Sequence, residues 1–167
     1  MEVLYQQKKG PCVGLTRKGK GTKWMIVTDK NGTVLSKVIE SAGKSEVKLA
    51  LRTLEGISVE KHPLHPRKRP EKIVADKGYD AGWLRTAIRK KGISPFIPRK
   101  RKAKQKEYPK YNEKIKPYYK ERWIVERTFA WLGWNRRLLV RWEHNDRTYK
   151  AFFTLALIML CVREVLK

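Results

Sequence analysis

Two carboxylates stand in contexts that suit chemistry. Asp76 follows the apolar run Ile73-Val74-Ala75 and precedes Lys77-Gly78-Tyr79-Asp80. Glu126 closes the pattern Tyr119-x-x-Arg122-x-x-x-Glu126, with Arg127 next. An aspartate at a strand end and a glutamate on a helix are hard oxygen donors from separate elements, the kind of set that holds a divalent cation. Mg²⁺ takes few protein carboxylates and leaves positions open for phosphate oxygens and water. Two such ions about 3.5–4 Å apart can activate an attacking oxygen and stabilise a leaving one. A third carboxylate is usually wanted in such a cage. Between the two motifs lies a strongly basic stretch, Arg99-Lys100-Arg101-Lys102 followed by Lys104, Lys106, Lys110, Lys114 and Lys116. Carboxylates beside a phosphate-attracting surface point to metal-dependent chemistry on nucleic acid.

Each residue also has a plainer reading. On a helical wheel Arg122 and Glu126 fall on the side of Tyr119, while Ile124, Val125, Thr128, Trp131 and Leu132 cluster opposite. Glu126 could therefore be a solvated residue pairing with Arg122 four positions earlier. Asp76 could simply start a turn. The crevice beyond the carboxyl ends of parallel strands, where α/β folds place ligands, gives Asp76 its functional reading. Spacing alone leaves both open.

The chain carries 40 Lys+Arg against 16 Asp+Glu, a net charge of +24 over 167 residues. Solubility does not need that excess; a polyanionic partner explains it, and nucleic acid is the first choice. Arg136, Arg137 and Arg141, flanked by Trp134 and Trp142, make a second candidate DNA contact beside Arg99, Lys100, Arg101, Lys102 and Lys104. Trp24, Trp83 and Trp131 read as core. Cys12 and Cys161 form no CxxC pair, and His62-x-x-His65 reads as a loop rather than a ligand pair. Ala151 to Val162 is apolar on every side except at Thr154. A bilayer span needs about 20 residues, so this run reads as a buried core helix and no membrane partner is expected.

The surrounding elements follow from local patterns. Thr22–Thr28 and Thr33–Ile39 are strand-like, joined through Asp29-Lys30-Asn31-Gly32, a strong hairpin signal. Ser45 can cap a helix to about Leu54, with Val47, Leu51 and Leu54 on one face. Residues 58–71 read as a loop. A strand at Ile73–Ala75, a helix from Ala81 to Lys91 capped by Asp80 and ended by Gly92, and a strand at Ile93–Ile97 make a βαβ unit with parallel strands. Residues 99–116 read as a flexible basic loop, Pro117–Leu132 as a helix, Asn135–Asp146 as a connector, and Arg147–Leu166 as the last helix.

These motifs together resemble the DDE-type transposases of bacterial and archaeal insertion sequences, in the IS4/IS5 group. Gly14-Leu15-Thr16-Arg17-Lys18-Gly19-Lys20-Gly21-Thr22-Lys23 is similar to their loop after the first catalytic strand. Ala75-Asp76-Lys77-Gly78-Tyr79-Asp80 is similar to the segment with their second aspartate, and Tyr119, Arg122 and Glu126 match their signature. The resemblance spans nearly the whole chain. It implies one α/β domain over residues 1–167, an RNase H-like mixed sheet flanked by helices, with the first strand truncated or at the extreme N-terminus. It implies Asp76 and Glu126 as catalytic metal ligands for Mg²⁺ or Mn²⁺, two ions in the complete enzyme, and Tyr119 and Arg122 as supporting signature residues. It implies DNA as partner, both element ends and target, cut and joined in transposition by a homodimer in the cytoplasm, at the nucleoid.

Two positions depart from the pattern. Gly133 stands where the signature usually has a lysine, and the register of the first aspartate falls on or just before Met1. The chain thus looks like the C-terminal portion of the catalytic domain, expected to be weak or inactive alone. Glu2, Asp29 and Glu46 are the substitute carboxylates to consider. The alternatives are a catalytically inactive DNA-binding remnant and, from another class, a basic RNA-binding structural protein.

Overall fold

A computed structural model describes residues 2–4, 10–17, 19–59, 69–101 and 109–166. Strands β1 (Glu2–Leu4), β2 (Gly14–Thr16), β3 (Gly19–Thr28) and β4 (Val34–Ser41) form one antiparallel sheet. β3 is central. β1 runs along one edge, pairing Glu2 with Lys23; β4 and then the short β2 run along the other, pairing Trp24 with Ile39 and Leu15 with Lys20. The expected hairpin is there. Asp29 accepts the Asn31 and Thr33 amides on Oδ1, both at 2.9 Å, and Gly32 takes φ +98°, where a side chain would be strained. The turn also shifts the register between Val27 and Thr28.

Helix α1 (Glu46–Glu55) follows, with Ser45 at its N-cap position but making no side-chain cap bond. β5 (Lys72–Val74), helix α2 (Gly82–Lys90) and β6 (Ser94–Phe96) form the βαβ unit, and β5 and β6 pair in parallel with Ile73 opposite Pro95. Among the described residues this pair is a sheet of its own, separate from the antiparallel one. Asp80 is not the helix cap that its position suggested. Ala81 is, because the Asp80 carboxylate is drawn to the Arg85 guanidinium and the Lys100 amide, stronger partners than an exposed helix end. Gly92 ends the helix as expected, in the left-handed region at φ +70°.

The second half is more helical than its composition suggested. Of the basic stretch 99–116, residues 102–108, including Lys102, Lys104 and Lys106, lie outside the described residues. Beyond them α3 (Tyr111–Tyr119) begins, so 111–116 is helix and not loop. Pro117 sits inside α3 instead of opening a helix. It lacks the N–H that would reach Glu113, and the chain tightens into a 3₁₀ turn at Lys120–Arg122 before α4 (Trp123–Gly133). The connector after α4 holds the short α5 (Arg136–Leu139), and α6 (Asp146–Val165) closes the described chain, its Asn145 side chain capping the Arg147 amide.

Strand periodicity divides the core. Trp24, Ile26, Val34 and Ile39 point to one side of the β3–β4 hairpin and pack against Leu132, Leu138, Tyr149 and Phe153 from α4, α5 and α6. Val27 and Leu35 point to the other and pack with Leu54, Leu84 and Ile88 from α1 and α2. The sheet is thus sandwiched between two helical layers, a mixed α/β architecture. Trp24 anchors the first layer: its ring meets Phe153 edge-on at 5.1 Å, and its Nε1–H donates to the Tyr149 hydroxyl at 2.8 Å. Tyr149 in turn donates to the Leu138 carbonyl at 2.9 Å. Burial pushes the Tyr149 phenol up to about 12, so the proton that makes this bond stays in place.

Three expectations about burial fail. Trp83 is half exposed on α2 and not core, since α2 buries Leu84 and Ile88 on its inner side. Arg141 is 5% exposed and not a surface contact. Its Nη1 donates to Thr22 Oγ1 at 2.8 Å, its Nε to the Glu143 carbonyl at 3.1 Å, and its guanidinium lies over the Tyr149 ring. Finally, α6 is buried on one face only.

Candidate active site

Asp76 lies just past the carboxyl end of β5, where the parallel strand hands the chain to the 3₁₀ turn Lys77–Tyr79. Its backbone stays extended, ψ 159°, so the side chain leaves the strand towards solvent. Oδ1 accepts the Lys77 amide at 2.7 Å and the Tyr119 hydroxyl at 2.8 Å. Asp76 does cap a turn, as its plainer reading held, and the same carboxylate is tied to the signature tyrosine. The two residues are 43 positions apart in the chain.

Tyr119 ends α3, and the 3₁₀ turn carries the chain into α4. Arg122 stacks over the Tyr119 ring at 5.3 Å and donates from Nη1 to Glu126 Oε1. Glu126 is exposed, while Thr128 and Leu132 of the same helix are buried, as the wheel indicated. Partial burial, the bond to Asp76 and the nearby charges of Asp76 and Glu126 all raise the Tyr119 phenol above its ordinary value, with Arg122 opposing them. Both carboxylates therefore lie within electrostatic reach of one hydroxyl. Each has one oxygen engaged within the protein. Two half-engaged carboxylates suit a hard divalent cation as partial ligands. Among the described residues no group of three or more His, Cys, Asp or Glu side chains converges on one point, so the donor set is incomplete there.

The residue that sequence reasoning missed is Tyr79. Its hydroxyl reaches Glu46 Oε2 on α1 at 3.3 Å and the Met25 sulfur on β3 at 3.8 Å. Burial raises its phenol most, then Glu46, then Asp76. Tyr79 thus links the turn behind Asp76 to both the antiparallel sheet and α1. The only sequence signal was an aromatic residue among the polar ones of Lys77-Gly78-Tyr79-Asp80. Glu46, one of the three carboxylates considered as substitutes, lies on this side of the fold and also pairs with the buried Lys23 ammonium at 3.6 Å. Asp29 is committed to its own turn, and the side chain of Glu2 lies outside the description.

The basic surface is fixed at its start. Asp80 Oδ2 accepts the Lys100 amide at 2.7 Å, while Asn112 brackets Arg99, taking its amide at 2.7 Å and donating to its carbonyl at 3.1 Å. Arg99 stacks on Tyr111. Arg99, Lys100 and Arg101 are exposed, as are Arg136 and Arg137, although Arg137 also pairs with Glu143 at 3.1 Å.

The transposase DDE domain family matches residues 5–161. The chain belongs to the DDE transposases of insertion sequences. It is 36% identical over 146 residues to a protein from Burkholderia cepacia described as "Putative transposase for insertion sequence element IS402". That match covers 84% of this chain and 63% of the relative, so the chain spans less than two-thirds of the length of the curated relative it matches. No solved structure matches. Transposases act on DNA, and DDE domains generally use divalent metal ions. No helix among the described residues is long and apolar enough to cross a membrane.

Proposed function

We infer that residues 1–167 form one RNase H-like unit of an insertion-sequence transposase. In this reading Asp76 and Glu126 are two of its catalytic carboxylates, and DNA is cut and joined by two-metal phosphoryl transfer. One observation carries it: the Tyr119 hydroxyl, at the end of α3 and one 3₁₀ turn before the helix that holds Glu126, donates to Asp76, uniting motifs from separate elements. Asp76 and Glu126 would hold Mg²⁺ or Mn²⁺, which when bound polarises phosphate oxygens and lowers the pKa of bound water. The chain's own residues prepare that chemistry. Tyr119 and the Lys77 amide hold Asp76 Oδ1. Arg122 holds Glu126 and adds positive charge beside the site. Arg99, Lys100, Arg101, Arg136 and Arg137 attract and orient the phosphate backbone of element ends and target.

A second reading, a DNA-binding remnant without catalysis, is favoured by the lack of a third converging ligand among the described residues. One assay separates the two. On a DNA substrate with Mg²⁺ or Mn²⁺ the unmodified chain cleaves slowly. Met1→Asp behind an added N-terminal extension raises metal-dependent cleavage, and Asp76→Ala or Glu126→Ala in that background removes the gain. Cleavage indifferent to both alanine variants rejects the assignment of these carboxylates. DNA binding with no metal-dependent cleavage in any variant selects the remnant.

A further inference from the structure

Asp76 and the antiparallel sheet belong to different parts of the fold. Among the described residues β5 and β6 pair with each other and not with β1–β4. Asp76 leaves the end of β5 exposed to solvent. The Lys77 amide and the Tyr119 hydroxyl set the direction of its carboxylate, but neither belongs to the antiparallel sheet. A hard cation needs oxygens that converge from separate elements, so the place of Asp76 relative to the rest of the fold matters as much as its direction.

Tyr79 makes that connection. Its amide donates to the Asp76 carbonyl at 2.9 Å, so phenol and carboxylate stand on one 3₁₀ turn. The ring packs against the core that Leu54, Leu84 and Ile88 build. The hydroxyl lies 3.8 Å from the Met25 sulfur on β3 and donates to Glu46 Oε2 on α1 at 3.3 Å. Burial and the Glu46 charge keep the phenol protonated, so it remains a donor. Glu46 is fixed in turn. Its Oε1 pairs at 3.6 Å with the ammonium of Lys23 on β3, a side chain only 6% exposed, which also donates to the Lys44 carbonyl at 2.9 Å. A charge buried like that of Lys23 requires an opposite partner, which gives Glu46 a task that involves no metal. Both Glu46 oxygens are thereby engaged, against one each on Asp76 and Glu126.

We propose that Tyr79 is a positioning residue for Asp76, and that Glu46 is the anchor of Tyr79 rather than a substitute metal ligand. The series Lys23–Glu46–Tyr79 ties the turn to β3 and α1 and fixes where the Asp76 carboxylate stands relative to the antiparallel sheet. This role rests on the reading of Asp76 as a metal ligand.

Two measurements on the whole chain test it: Mn²⁺ titration followed by the paramagnetic signal of free ion, and water exchange of the Lys77 and Tyr79 amide protons followed by nuclear magnetic resonance. Tyr79→Phe keeps the ring and removes the hydroxyl. It should weaken Mn²⁺ binding about 10-fold, the lower end for the supporting partners of metal ligands. It should speed exchange of both amides about 3–10-fold, the value of one hydrogen bond lost from a local opening. Glu46→Ala should do the same, and Glu46→Gln should restore both readouts, because an amide oxygen still accepts from Tyr79. Asp76→Ala is the control for the site itself. Parent-like affinity or parent-like exchange in Tyr79→Phe overturns the proposal, and the catalytic reading survives if Asp76→Ala still weakens Mn²⁺ binding. Glu46→Gln as damaging as Glu46→Ala marks Glu46 as a ligand and overturns the proposal too. Asp76→Ala that binds Mn²⁺ as the parent does removes the catalytic reading, and the positioning role with it.

Discussion

Replacing Arg85 by Met should unfold the molecule at markedly lower temperature, by an amount that the surroundings of Arg85 set. Arg85 is 5% exposed. It donates from Nε and Nη2 to Asp80 Oδ1 at 2.9 and 2.7 Å, and from Nη2 to the Ile97 carbonyl at 2.6 Å. Met fills much of the volume of the stem, so the loss is electrostatic. It strands a largely buried carboxylate and an unpaired carbonyl, which costs about 3–5 kcal/mol for the removed partner of a buried pair. At about 2–4 °C per kcal/mol for a chain of this size, the melting temperature falls by roughly 6–20 °C. Asp80→Asn alone should cost less, because the amide oxygen still accepts. The double variant should recover part of the loss, giving a coupling of about 2 kcal/mol in a thermal or urea double-mutant cycle. Asp80 also fixes the sign of the pH dependence. Burial opposes its ionisation, but the Lys100 amide and Arg85 outweigh that and hold its carboxyl below the ordinary value of 3.8. A carboxyl depressed in the folded state stabilises the fold above its unfolded pKa, and that contribution disappears as pH falls below about 4 through the folded value. The penalty of Arg85→Met should therefore shrink in acid. A single variant within about 0.5 kcal/mol of the parent, or a strictly additive double variant, would refute the reasoning.

Three further outcomes follow from other positions. Tyr149→Phe should cost about 2–3 kcal/mol in urea unfolding, since it leaves the Trp24 indole N–H and the Leu138 carbonyl buried without partners; a loss below about 0.5 kcal/mol would contradict this. Arg99→Gln, Lys100→Gln and Arg101→Gln should each make the slope of log K for duplex DNA against log salt shallower by about 0.9, whereas Arg141→Gln should lower the melting temperature and leave the slope unchanged. Tyr119→Phe should weaken Mn²⁺ binding, followed by the paramagnetic signal of free ion, without lowering the melting temperature; an unchanged affinity would show that the Tyr119 hydroxyl does not position Asp76.

Local chemistry was legible in the sequence, and distant partners were not. Asn31-Gly32 and Gly92 announced a hairpin and a helix end because turn conformation depends on the residues in the turn. Arg122 and Glu126 were legible as an i,i+4 pair because helical spacing fixes which side chains are neighbours, but the single helix expected through Tyr119 is broken by a 3₁₀ turn at Lys120–Arg122. Asp80 looked like a cap because its partner Lys100 lies 20 residues further on. α3 was obscured by its lysines and by Pro117, which removes the N–H that would reach Glu113 and so argues locally against a helix running through it. The run from Ala151 to Val162 suggested burial on all sides; the sequence holds no sign of which side a neighbouring layer covers, and only one is covered.

Arg141 is the most instructive case, since composition and position both argued for DNA. It stands between tryptophans in a basic connector, yet Thr22, 119 residues earlier, takes its guanidinium into the core. The cationic excess therefore divides into two populations. Lys23, Arg85 and Arg141 are buried, and each has a hydrogen-bond or ion-pair partner, because an unpaired buried charge would cost several kcal/mol. Arg99, Lys100, Arg101 and Arg136 keep their charges at the surface, where they add to the field a phosphate backbone would meet. The net charge of +24 draws on both, but only the second population can be neutralised by DNA. A binding footprint counted from the composition is consequently too large, and the salt slope measures the smaller number. Substituting the buried cations probes the fold, and substituting the exposed ones probes its partner.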